Sequence, residues 1–228
     1  MNARIKYVVA ARPYEYEFHV DETALLVVDM QADFLKPGGF GELLGNDVGV
    51  LSCVVPNVQT VLRLARHAGM RVVYTREGHS SDLSDCSESK RNRGRPCVRI
   101  GDTGPLGRVL IRDFPGNQIV EELRPEPGET IIDKPGKGSF YATELGCLLE
   151  KWKVRKLIVT GVTTEVCVHS TVREANDRGY ECLVLSDCVG SYFPEFHEVA
   201  LKMIEAQGGI FGWVTDSRTL TEALERMT

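Results

Sequence analysis

Residues Ala24–Met30 read ALLVVDM, an apolar run that does not alternate with polar residues and closes on an acid. A strand with one wet face alternates. A run apolar at successive positions is buried on both faces, as in a parallel sheet covered by helices. Comparable runs recur at Arg71–Thr75, Thr130–Asp133, Arg155–Thr160, Glu181–Leu185 and Ile210–Val214. Between them lie segments of helical period: Pro56–Ala68, stopped by Gly69, then Tyr141–Trp152, Val166–Arg178, His197–Gln207 and Asp216–Met227, the last capped by Asp216. This alternation predicts an α/β fold of three layers, helix–sheet–helix, on a six-stranded, mostly parallel sheet. The 228 residues, 43% of them hydrophobic, suit one domain, and no polar linker divides them.

Two stretches fall outside the alternation. Residues 1–22 read as an irregular arm, and 76–118 as a long loop rich in Gly, Ser, Arg, Asp and Pro. A loop of that length in a compact domain is commonly functional, so a lid or a subunit contact is expected. Its basic run Lys90–Arg95 reads as a solvated face. A net charge of −5 argues against nucleic acid as a partner. No run approaching a membrane span and no signal peptide is expected, which excludes a membrane role. Seven cysteines, an odd number without a CxxC pair, speak against a disulfide framework and for a reducing, cytoplasmic setting. They also lack the Cys/His spacing of zinc sites, so no metal and no cofactor is expected.

Ligands of open α/β sheets bind beyond the carboxyl ends of the strands. Asp29, Lys134 and Cys167 each stand at or just past such an end. Cys167 falls in the first turn of a helix, where backbone N–H groups favour a thiolate and can hold an oxyanion. A thiolate attacks carbonyl carbon, a nearby ammonium steadies it, and a carboxylate can carry its proton to a leaving amine. Their joint placement points to acyl-transfer chemistry at one edge of the sheet.

Three stretches, DMQADF from Asp29, DKPGKGSF from Asp133 and GVTTEVCV from Gly161, occur in this order. Together they resemble the isochorismatase-like cysteine hydrolases over about residues 22–220. The resemblance implies a catalytic triad of Asp29, Lys134 and Cys167. It also implies a cis peptide between Val162 and Thr163, which aims the Thr163 N–H, with that of Cys167, into an oxyanion hole. TREGH (75–79), IGDTGPLGR (100–108), REANDRGYECL (173–183) and MIEAQGGIFG (203–212) are most similar to biuret and triuret hydrolases. On that likeness the substrate is a small ureide, triuret or biuret, cleaved with release of ammonia through a thioester-type intermediate. Gln207 would bond it, Phe34 would wall the pocket, and Lys137 and Arg76 would add polar contacts. The family resemblance further implies a homo-oligomer, tetramer or dimer. A related amidohydrolase acting on ureidoacrylate, N-carbamoylsarcosine or nicotinamide is the alternative, or a non-catalytic binding member of the fold. His79 has no second histidine nearby, unlike the metal cluster of nicotinamidases, and the presence of Cys167 departs from isochorismatases that lack it.

Overall fold

The computed structural model describes residues 5–93 and 98–225. Six strands form one sheet: β1 (Thr23–Val28), β2 (Arg71–Glu77), β3 (Thr130–Lys134), β4 (Lys156–Val162), β5 (Glu181–Gly190) and β6 (Trp213–Thr215). Their spatial order is β6-β5-β4-β1-β2-β3, and every pairing is parallel. All six residues of β1 are buried, as its unbroken apolar run requires. Helices α1 (Val55–His67) and α5 (Ser217–Glu225) cover one face, meeting Leu25, Val27 and Leu183 through Val58, Leu62 and Leu220. Helices α2 (Leu145–Lys151), α3 (His169–Asp177) and α4 (Pro194–Gly209) cover the other, meeting Leu26, Val28 and Val184 through Leu149, Val172 and Ile204. The three-layer, six-stranded fold expected of the sequence is therefore present. The chain reverses its order between β1 and β4, the point at which a doubly wound sheet opens a crevice.

Several local expectations are corrected. The arm is not irregular: Tyr7–Val9 and Tyr16–Phe18 pair as an antiparallel hairpin, and Tyr7, Val9, Tyr16 and Phe18 alternate into the core. The sixth strand begins at Trp213 rather than Ile210, because Ala206, Gln207 and Gly208 leave helical geometry and the chain needs 209–212 to turn back. Residues Val48–His67 are long and apolar enough to cross a membrane, against the sequence expectation. They form two helices broken at Cys53–Val54, and the second, α1, spends its apolar face on the core. The expected loop 76–118 starts inside β2 and carries its own small core of Cys86, Ile100, Val109 and Leu110 against Phe34, Phe40 and Leu43. Of the basic run, Arg91 and Arg93 are exposed as expected, Lys90 is half-buried, and Arg95, like Cys97, lies outside the described residues.

Candidate active site

Four strand ends converge at the crevice. β1 runs directly into Asp29, whose backbone takes a left-handed φ of 50° and whose N–H donates to Thr75 O at 3.1 Å. Aspartate is one of the few residues that adopts this conformation readily. The turn swings its carboxylate across the sheet edge, where Thr75 Oγ1 donates to Oδ1 at 2.7 Å. β3 ends at Lys134, and the loop after it folds back so that Gly136 O and Lys137 O accept from its ammonium at 3.0 and 2.8 Å. The same Nζ lies 2.7 Å from Asp29 Oδ2. Apart from that ion pair, Oδ2 has no partner among the described residues, so it is the oxygen free to take a proton.

β4 continues through Gly161 into a single π-type turn, Thr164–Val168, and then into α3. Its wider winding, with Val168 N–H donating to Thr163 O, sets Cys167 at the mouth of the helix; such turns recur at functional sites. The Val162–Thr163 peptide is cis, as expected. Ser139 ties the Lys134 loop to this helix: its N–H donates to Thr171 Oγ1 at 3.0 Å, and Thr171 in turn donates to Cys167 O at 2.6 Å. One ligand-type atom each from Asp29, Glu77 and Cys167 falls within 4.8 Å of the others. The Lys134 ammonium stands 2.7 Å from the first of these groups and 4.0 Å from the second. Asp29, Glu77 and Lys134 are fully buried and Cys167 is 4% exposed.

Burial changes the expected ionisation. The sequence placed Cys167 where a helix terminus favours a thiolate. In the folded protein desolvation pushes the thiol well above its ordinary range. Lys134 pulls it down, but Asp29 and Glu77 oppose that. The resting nucleophile is therefore a thiol. Lys134 is held charged: burial disfavours its ammonium, yet Asp29, Cys167 and Glu77 raise it above its ordinary value.

Glu77 was not anticipated. The strand was expected to stop at Thr75, before two charged residues; β2 runs on to Glu77 because both charges are matched. Arg76 forks onto Asp133 at 2.8 and 3.0 Å. Side chains alternate along a strand, so with Thr75 and Glu77 turned to the site, Arg76 faces away from it. The expected contact from Arg76 is thus replaced by a structural ion pair. Glu77 accepts from Lys137 at 2.8 Å, pairs with Lys90 at 2.8 Å, and takes a hydrogen bond from the Cys167 thiol at 3.6 Å. Burial alone would raise its carboxyl; Lys134, Lys137 and Lys90 outweigh that and bring it down to about 2. Lys137 is accordingly at the site as expected, with its side chain 45% exposed. Phe34 is half-buried within the short helix Ala32–Leu35, packs against the small core of the insertion, and its carbonyl accepts from Tyr192 Oη at 2.7 Å. Gln207 is exposed, in the break near the end of α4, two residues before Gly209, which faces Pro13 of the N-terminal arm. A helix that returns from a strand end finishes near the start of the next strand, so the C-terminal end of α4 precedes β6 and cannot reach the crevice of its own chain.

A parallel α/β sheet that gathers a carboxylate, an ammonium and a cysteine at its topological switch point defines a class of nucleophilic acyl-transfer proteins. The isochorismatase domain model matches residues 23–219, and the chain belongs to that family. Its fold is similar to a cysteine hydrolase from Pseudomonas syringae pv. phaseolicola 1448A (26% identity, 92% of this chain and 96% of that one, TM-score 0.77). An isochorismatase family protein from Desulfovibrio vulgaris is also similar (27% identity, 90% and 99% covered, TM-score 0.72). N-carbamoylsarcosine amidase from Thermoplasma acidophilum shares the fold at 23% identity, with 86% and 96% covered and a TM-score of 0.64.

Proposed function

We propose that this protein is a cysteine-dependent amidohydrolase that releases ammonia from a small linear ureide, triuret or biuret. The observation that carries the reading is the Lys134 ammonium placed 2.7 Å from Asp29 within a cluster that includes the Cys167 sulfur. The thiol gives its proton to Asp29 Oδ2 as sulfur attacks a terminal ureide carbonyl. The N–H groups of Thr163 and Cys167 hold the oxyanion; one such donor can lower a barrier by about 3–4 kcal/mol. Asp29 passes the proton to the leaving nitrogen, the C–N bond breaks and ammonia departs. Water then attacks the carbamoyl thioester, giving one proton to Asp29 and its hydroxyl to carbon. The C–S bond breaks, Asp29 reprotonates the sulfur, and the freed carbamate loses carbon dioxide. Lys134 keeps its charge throughout.

Lys137 and Phe34 suit a pocket for a planar, polar substrate of this kind. A site built to hydrogen-bond a carbonyl or NH rejects analogues that lack it. Ammonia release from a panel of triuret, biuret, ureidoacrylate, N-carbamoylsarcosine and nicotinamide tests the reading. Triuret or biuret should be turned over fastest; a preference for nicotinamide would overturn the ureide assignment. Cys167→Ser and Asp29→Asn should each lower turnover by more than about a thousandfold with the circular dichroism unchanged. Substantial turnover by Cys167→Ser would exclude the covalent route.

A further inference from the structure

Glu77 takes no part in the proton path above, yet its carboxylate is the group that the resting thiol reaches. Cys167 Sγ donates to Oε2 at 3.6 Å. Oε1 is held by Lys137 at 2.8 Å and by Lys90, from the short helix Glu88–Arg91, at 2.8 Å. Lys137 also reaches Oε2 at 3.1 Å, and Lys134 stands 4.0 Å from it. The backbone is pinned as firmly. Glu77 N–H donates to Gln31 Oε1 at 2.7 Å, and its carbonyl accepts from Gln31 Nε2 at 3.0 Å and Asn117 Nδ2 at 2.9 Å. Lys90 is fixed at its other side by Pro135 O, in the loop that carries Lys134. Burying a carboxylate among ammonium groups gains little over an apolar filling of the same volume. Such a cluster matters for what it does to the sulfur it touches.

We propose that Glu77 is a positioning residue for the nucleophile: Oε2 holds the Cys167 thiol, while Oε1 fastens Lys90 of the 76–118 insertion and Lys137 over the site. Its negative charge keeps the sulfur protonated until substrate arrives, and it joins the long insertion to the reacting atoms. The groups that face the thiol are Asp29 from β1, Glu77 from β2, Lys134 from β3 and Lys137 from the loop beyond, with Lys90 behind Glu77. Removing a negative and a positive member of this set must therefore move the sulfur in opposite directions. The effect on turnover rests on the amidohydrolase reading; the effect on the sulfur does not.

The test is the pH dependence of iodoacetamide alkylation at Cys167, followed by peptide mass because Cys53 and Cys147 are exposed and also react. Glu77→Gln should lower the midpoint by about 1–3 pH units, and Lys137→Met should raise it. Glu77→Asp keeps the charge and should return the midpoint close to that of the wild type. Glu77→Gln should also lose at least about tenfold in kcat despite its more reactive sulfur, because the thiol and the insertion are no longer held. Midpoints unmoved in Glu77→Gln and Lys137→Met overturn the proposal and leave Glu77 a structural residue. Should Glu77→Gln fail to fold, an unmoved midpoint in Lys137→Met, altered at a surface-exposed side chain, overturns it alone. Shifted midpoints in a protein inert toward every ureide would sink the amidohydrolase reading and leave this proposal standing.

Discussion

Lys134 is the residue whose replacement separates structure from chemistry most clearly. Its ammonium has no solvent exposure and three close oxygen partners: a carboxylate and two carbonyls. The neighbours cannot follow it out: Asp29 is buried too, so neutralising the lysine strands its carboxylate beside Glu77, whose own charge Lys90 and Lys137 still match. Breaking a buried pair from one side costs about 3–5 kcal/mol, whereas the pair as a whole is near neutral against an apolar filling. Lys134→Met should therefore lower stability by about that amount in urea unfolding. The double variant Lys134→Met with Asp29→Leu should recover part of it while remaining inactive. A double variant no more stable than the single would show that the loss came from packing rather than from the stranded charge. At this scale the three motif residues were legible because each closes a strand or opens a helix within its own stretch. Glu77 was not, because the charges that let it stay buried lie 13 and 60 residues further on, at Lys90 and Lys137. The ionisation of Cys167 was misread for a related reason: a helix terminus is visible in sequence, but the burial that outweighs it is a property of the assembled site.

The element that aims the nucleophile is β4 with its π-type turn, and Gly161 is its most constrained position. It has φ +110°, and a Cβ there would fall 2.0 Å from Val28 O and 2.6 Å from Val28 N. Those atoms belong to β1, which pairs with β4 up to Val28 opposite Gly161. A side chain would have to part the two central strands or shift both, and both carry site residues at their ends. Gly161→Ala should cost on the order of 4 kcal/mol in urea unfolding, among the largest losses expected of a single methyl group. A loss below about 1 kcal/mol would mean that β4 can move away from β1 without harm. The apolar runs located the strands because burial on both faces removes the alternation that blurs shorter signals. Their ends were less legible where charge and turn compete. The apolar run of β2 stops at Thr75, yet the strand continues through Arg76, whose charge Asp133 on the neighbouring strand neutralises. Gln207 was assigned to the site from a local match. Local pattern says nothing of which sheet edge a helix terminus reaches, and the left-handed turn at Gln207 and Gly208 sends the chain into β6 at the far edge.

For the molecule as a whole, the buried charges and thiols set a pH window of stability whose two limbs have different owners. On the acid side, burial depresses His79, His169 and His197 below their ordinary value, so the unfolded chain binds protons that the folded one refuses. Stability should begin to fall as pH drops below about 6.5, where free histidine titrates. Glu77 steepens the fall. Its folded value of about 2 lies below that of an unfolded glutamate near 4.3, so its contribution is complete above about 4.3 and disappears as pH approaches 2. That interval corresponds to on the order of 3 kcal/mol. On the alkaline side the signs reverse. Burial raises Cys167 and Cys188, and pushes Cys182 up to about 12, so the unfolded chain loses protons that the folded one retains. Stability should therefore fall as pH rises through about 8.5, where a free thiol ionises. Urea midpoints measured from pH 3 to 10 should trace a plateau between about pH 7 and 8 with a decline on each side. Glu77→Gln should flatten the acid limb below about pH 4.5 and leave the alkaline limb in place. Cys182→Ala should do the converse, since that thiol sits at the start of β5, at the other end of the strands from the catalytic crevice. An acid limb of unchanged slope in Glu77→Gln would assign the loss to the histidines and to other depressed carboxylates such as Asp85, Glu122 and Asp216, and remove Glu77 from the global electrostatic balance.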